Sequence, residues 1–150
     1  MSPNTWGPPT WMFLHTLATK IKEDSFPLIG NKLVLSIMSI CYHLPCPECS
    51  QHAKKFWSNV KIGNIQSKND LINILFVFHN LVNKRKGYPP FNNNNLHYYN
   101  SRNLIQTFNQ FSRNFNTKGN ISLINESFHR NIMMTALRKW MMGNIVHFDI

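Results

Sequence analysis

One hundred and fifty residues give room for one domain with at most an appendage. A hydrophobic fraction of 43% excludes a broadly disordered chain, and three cysteines are too few for a secreted disulfide scaffold. Charged residues are sparse at 15% and sum to +10, which favours anionic partners without choosing among nucleic acid, anionic lipid and a phosphorylated cofactor.

The elements read helical from end to end. Pro8 and Pro9 precede a first helix whose Trp11, Leu14 and Ala18 share one face. Pro27 and Gly30 punctuate the chain. Leu33, Ile37 and Ile40 then mark a second helix running to Tyr42, which Pro45 breaks. A third helix starts at about Cys46, carries His52, Ala53, Phe56 and Trp57, and ends by Gly63. Ser67-Lys68-Asn69-Asp70 has the form of a capping box, with Asp in place of the usual Glu or Gln. It opens a fourth helix with Leu71, Ile74, Leu75, Phe78 and Val82 on its apolar side. Gly87 ends that helix and Pro89-Pro90 forbid its continuation.

Residues 92–95 read as a polar loop. Helical spacing returns over 101–116, at Leu104, Ile105, Phe108 and Phe111, and over 121–142, at Ile124, Phe128, Ile132, Met133, Leu137 and Trp140. Met133, Met134, Met141 and Met142 flank Trp140 and read as core, with an adaptable docking face as the alternative. No strand alternation and no internal repeat are visible, so the expected class is all-α. The expected division is a domain over 1–100 and a C-terminal helical extension over 101–150. No signal peptide is evident, and Ser36, Ser39, Asn73 and His79 interrupt or bound the apolar runs near 33–40 and 71–78. The expectation is a cytoplasmic protein with no membrane partner.

Three segments carry chemistry. The first is Cys46-Pro47-Glu48-Cys49 at the start of the third helix. Unpaired N–H groups and the helix dipole favour a thiolate there, suited to thiol–disulfide exchange. Half of a zinc site is the other reading; Cys41, Cys46, Cys49 and His52 supply four ligands on paper, but a second CxxC or HxxxH is missing. The second is His79-Asn80-Leu81-Val82-Asn83-Lys84-Arg85-Lys86. His79, Asn80 and Asn83 project close together on a helix, and two amides with an imidazole on an otherwise apolar helix need hydrogen-bonding partners. The cations that follow suit a diphosphate, or simply a helix C-terminus. The third is Trp6-Gly7-Pro8-Pro9-Thr10-Trp11 with His15, which puts an indole and an imidazole on one face, either against a planar ring or in the core.

Taken together, Trp-Gly-Pro-x-x-Trp-x-x-Leu-His, CxxC and His-Asn-x-Val-Asn across roughly residues 6–90 resemble the Erv/ALR flavin-linked sulfhydryl oxidases. Leu44-Pro45-Cys46-Pro47-Glu48-Cys49-Ser50-Gln51-His52-Ala53 is similar to members from large cytoplasmic DNA viruses. The resemblance implies a four-helix bundle enclosing FAD, with a short additional helix, commonly dimeric. It implies that Cys49 is the flavin-proximal sulfur and Cys46 the distal, substrate-facing one. It places Gly7, Thr10, Trp11, His15, Cys49, His52, His79, Asn80, Val82 and Asn83 on cofactor-contacting positions, and Lys84, Arg85 and Tyr88 near the nucleotide portion. Electrons would come from a dithiol substrate or a thioredoxin-like shuttle protein and pass to oxygen, giving hydrogen peroxide, in a host cytoplasm or a virion.

The chain departs from that pattern in places. A cysteine that many relatives carry three residues before His79 is Phe76 here, and Asn92 stands near the site of its partner. Lys86 replaces an apolar residue common in relatives, and Tyr88 replaces a common Lys. Cys41 is left unpaired and reads as a buried thiol. A zinc module and a basic nucleic-acid binder are the rival readings. Against the second, the basic residues are dispersed and no nucleic-acid fold signature is seen.

Overall fold

A computed structural model describes residues 3–115 and 124–150 of the chain. Among the described residues six α-helices run in the order α1 (Pro3–Lys20), α2 (Phe26–Tyr42), α3 (Pro47–Ser58), α4 (Lys68–Lys86), α5 (Leu104–Phe115) and α6 (Ile124–Gly143). Short 3-10 helices join several of them. Among the described residues the only β-type pairing is an isolated bridge between Ile21 and Phe148. The chain is all-α, as the spacing predicts.

Local chemistry explains most boundaries. Ser67 caps α4 by accepting the Asp70 N–H at 3.1 Å, while the Asp70 carboxylate accepts the Gln66 N–H at 3.0 Å. At the other end Gly87 takes φ 73°, and the Tyr88 N–H reaches back to the Asn83 carbonyl at 2.8 Å.

Three expectations need correction. Pro8 and Pro9 lie inside α1 rather than before it. Each removes one in-helix donor, but Trp6 is buried ahead of them and Thr10 Oγ1 donates to the Trp6 carbonyl at 2.6 Å, which hold the early turns. Pro27 and Gly30 lie inside α2. Proline is tolerated in a first turn, and a Cβ at Gly30 would come within 2.6 Å of the Phe26 ring that packs there. The polar loop at 92–95 enters a 3-10 helix, Asn93–Ser101.

One continuous core draws on all six helices, including Phe13 and Leu17, Leu33 and Ile37, Ala53 and Trp57, Leu71 and Leu75, Phe108 and Phe111, and Met133 and Leu137. α5 lies along α1, with the Phe13 ring stacked on Phe111 at 4.9 Å and edge-on to Phe108. The Lys20 ammonium donates to the Asn100 carbonyl, and the Asp149 N–H to the Lys20 carbonyl at 2.7 Å. The segment before α5 and the C-terminal end therefore both tie back to the end of α1.

On α6 the buried face is Arg130, Met133, Met134, Leu137 and Met141, whereas Phe128 and Ile132 are exposed. The apolar periodicity there mixes two faces. Residue 116 and residues 121–123 of the expected helices lie outside the described residues. By length and composition Glu23–Tyr42 could cross a membrane, contrary to the expectation of no such stretch. Here Leu33, Val34, Ile37, Ile40 and Cys41 of α2 are buried in the core.

Candidate active site

The turn before α3 presents a disulfide. Pro45 and Pro47 hold the chain extended across Cys46, which takes φ −129° and ψ 110° as the N-cap. Its Sγ accepts the Cys49 N–H at 3.2 Å. Cys46 and Cys49 are bonded to one another, with Cα atoms 5.2 Å apart. Cys46 is partly exposed while Cys49 is 8% exposed and faces inward. The two sulfurs thus meet different surroundings, one open to solution and one against the core.

Cys49 lines a narrow slot of about 50 Å³ between α1, α2, α3 and α4, with walls that include Trp6, Gly7, Thr10, Trp11, Phe78 and Val82. Arg85 and Lys86, from the last turn of α4, line it as well. Phe78, Val82 and Arg85 are also walls of a broad groove of about 760 Å³ that takes in His52, Phe56 and Lys84. That volume is in the range of small-molecule sites.

Beside the slot stands a stack of rings. Trp11 lies on His79 with centroids 3.9 Å apart and an interplanar angle of 5°. His15 Nε2 and His79 Nδ1 share a hydrogen bond at 2.9 Å. Phe91 stacks on both imidazoles and Tyr99 on His15. Burial, then the neighbouring His79, pushes His15 down to about 3, and burial pushes His79 down to about 4. Both imidazoles are neutral at physiological pH.

The amides of α4 find their partners in the following loop. Asn80 Oδ1 accepts the Phe91 N–H at 2.7 Å, and Asn83 Nδ2 donates to the Pro89 carbonyl at 3.2 Å. These bonds place Phe91 in the ring stack. Gly7, Thr10, Trp11, Cys49, Val82 and Arg85 therefore meet at the slot, and His52 and Lys84 at the groove. His15 and His79 join through Trp11. Tyr88 stands apart, its hydroxyl 3.5 Å from Asn4 Oδ1.

Sequence reasoning passed over several residues. Phe91 and Tyr99 complete the stack, and no spacing rule reaches them from α1. Glu48, between the cysteines, pairs with His52 at 3.7 Å and Arg85 at 3.9 Å. Trp6 lines the slot with its indole Nε1 buried and unpartnered. Its place in the Trp-Gly-Pro-x-x-Trp segment was the available signal.

Cys41 also lines the slot, and burial pushes its thiol up to about 12, with the Trp57 indole acting in the opposite direction. Burial thus disfavours the thiolate, the nucleophilic form. No group of three His, Cys, Asp or Glu residues comes together for a metal among the described residues.

The model of the Erv1 / Alr family matches residues 8–102. The chain belongs to that family. The match covers the disulfide, the ring stack and α4, and stops before α5. Relatives bear out the likeness, and their names describe FAD-linked sulfhydryl oxidases. A fowlpox virus protein is 34% identical over 83 residues, covering 55% of this chain and 80% of its own length. One from Invertebrate iridescent virus 6 is 30% identical over 95 residues, 59% of this chain and 86% of its own. The mitochondrial Erv1 of Schizosaccharomyces pombe is 30% identical over 89 residues, 57% of this chain and 48% of its own. No solved structure gives a significant match. In this Erv1 / Alr member the CxxC is thus a disulfide at a helix N-terminus, half open and half buried.

Proposed function

We propose that the chain is an FAD-dependent sulfhydryl oxidase, with Cys46 and Cys49 as its catalytic pair. The observation that carries this reading is the asymmetric disulfide of an Erv1 / Alr member, whose buried sulfur lines an aromatic slot. The residues suit FAD. Trp11, Phe78 and Val82 offer apolar and aromatic walls to a planar ring, and Lys84 and Arg85 at the groove suit a diphosphate. The Trp6 N–H is a buried donor waiting for an acceptor. At about 50 Å³ the slot must widen by side-chain movement to admit a ring.

A substrate thiolate attacks Cys46, the more exposed of the pair, and Cys49 leaves as a thiolate. A second substrate thiol displaces Cys46, so the substrate gains one disulfide and the protein holds two reduced sulfurs. The N–H groups of the first α3 turn stabilise the sulfur charge throughout. Bound FAD supplies the two-electron acceptor that reoxidises the pair and delivers the electrons to oxygen as hydrogen peroxide. Neutral His15 and His79 hold Trp11 in place without adding charge. Asn80 and Asn83 act first on the loop that carries Phe91, and through it on the cofactor.

In this reading residues 1–100 are the oxidase domain and 101–150 a helical extension that buttresses α1. A homodimer, a separate dithiol protein as electron donor, and a host-cytoplasmic or virion setting complete it. The viral relatives support the setting, and the partly exposed Cys46 supports a dithiol that arrives from solution. The test is oxygen consumption with dithiothreitol. Cys46→Ser and Cys49→Ser abolish it while FAD content stays near one per chain; full turnover in either variant refutes the assignment.

A further inference from the structure

The slot beside Cys49 has polar groups of one kind. The Trp6 side chain is 5% exposed and its indole N–H meets no acceptor. Arg85 and Lys86, from the last turn of α4, line the same slot, and Lys86 Nζ lies 6.0 Å from the centre of the Trp6 ring. The Thr10 hydroxyl is engaged with the Trp6 carbonyl, and Cys41 is a neutral thiol. Leu14, Leu44, Phe78 and Val82 are apolar, and no carboxylate is among the lining residues. Burial, then Arg85, holds Lys86 below its usual range, with Glu48 acting in the opposite direction. A buried N–H calls for an acceptor, and a partly desolvated ammonium beside it is stabilised further if the occupant carries negative charge. Arg85 already has a carboxylate in Glu48, 3.9 Å away. Lys86 is therefore the cation with most to gain from the occupant.

We propose that Lys86 is the charge partner of the cofactor in its reduced, anionic state, and so sets the potential at which Cys49 passes electrons on. This rests on the FAD reading above. Oxidation of the Cys46–Cys49 dithiol yields two electrons and two protons. The flavin ring takes both electrons and one proton and becomes an anion; the second proton goes to solvent. The oxidised ring is neutral, so a nearby ammonium in a low-dielectric slot favours the reduced form. A diphosphate carries its charge in both states, and a lysine serving it would change affinity without changing potential.

The experiment is Lys86→Met in the full-length holoprotein, with the flavin midpoint potential measured by dye equilibration and oxidised FAD affinity by titration. The variant weakens binding of reduced relative to oxidised FAD about tenfold, which lowers the midpoint by about 30 mV for a two-electron couple. Oxidised FAD affinity stays within about twofold, and Lys86→Arg restores the potential. Lys86→Gln gives the same shift, so misfolding of one variant does not decide the matter. An unchanged midpoint with weakened oxidised FAD binding assigns Lys86 to the diphosphate and overturns the proposal. An unchanged midpoint with unchanged affinity overturns it as well. A wild-type protein that binds no FAD overturns the oxidase reading and this inference together.

Discussion

Acid should unravel this protein through its two buried imidazoles, and His79→Phe should remove half of the effect. His15 and His79 are 1% and 9% exposed, so solvent screening is slight. Their pKa values fall from 6.5 to about 3 and about 4 in the folded chain. Below pH 6.5 the unfolded chain binds protons that the folded chain refuses. The stability is therefore present in full above pH 6.5 and is lost as pH falls toward 4 and then 3. Each imidazole loses about 1.4 kcal/mol per pH unit, hence about 2 kcal/mol at pH 5.0 and about 4 kcal/mol for the pair. For a chain of this size that is roughly 8–16 °C in Tm between pH 7.5 and 5.0.

The rings around the pair are Trp11, Phe91 and Tyr99, and burial pushes the Tyr99 hydroxyl up to about 12, so it does not titrate here. A phenyl ring at position 79 keeps the stack on Trp11 and Phe91. It loses the His15 hydrogen bond, for about 1 kcal/mol at neutral pH. Melting by circular dichroism from pH 7.5 to 5.0 reads the slope. Wild-type protein and His79→Phe with equal acid losses would show that His79 is not held neutral by burial, and the reasoning would fail.

Two further outcomes follow from the same geometry. Cys41→Ser leaves dithiothreitol oxidation nearly intact, because a thiol pushed up to about 12 takes no part in exchange; a large loss of turnover would give Cys41 a redox role. Gly87→Ala forces a side chain into φ 73° and costs about 1 kcal/mol, lowering Tm by roughly 2–4 °C with the absorbance of bound flavin unchanged; an unaltered Tm would count against the helix cap.

Local signals were legible where they act locally. Pro45, Cys46 and Pro47 mark the start of α3 because N-capping is a matter of four neighbouring residues. Ser67, Asp70 and Gly87 bracket α4 for the same reason. Pro8 and Pro9 misled, because burial of Trp6 outweighs two lost helix bonds. On α6 the alternation of Met133 and Met134 with Phe128 and Ile132 defines no single face until α2 is in place. Cys46, Cys49 and the Trp11–His15 pair were readable from spacing. The His15–His79 bond crosses 64 positions, and Phe91 reaches it through Asn80. The family pattern implies that His15, His79 and Asn80 lie near one cofactor; the ring stack shows how they and Phe91 hold one another.

The most direct test of the central claim is the visible absorption spectrum of the purified protein before and after anaerobic dithiothreitol. Flavin bands that bleach with the dithiol and return in air are the predicted result. A colourless protein that stays free of flavin when refolded with FAD would contradict the account at its root.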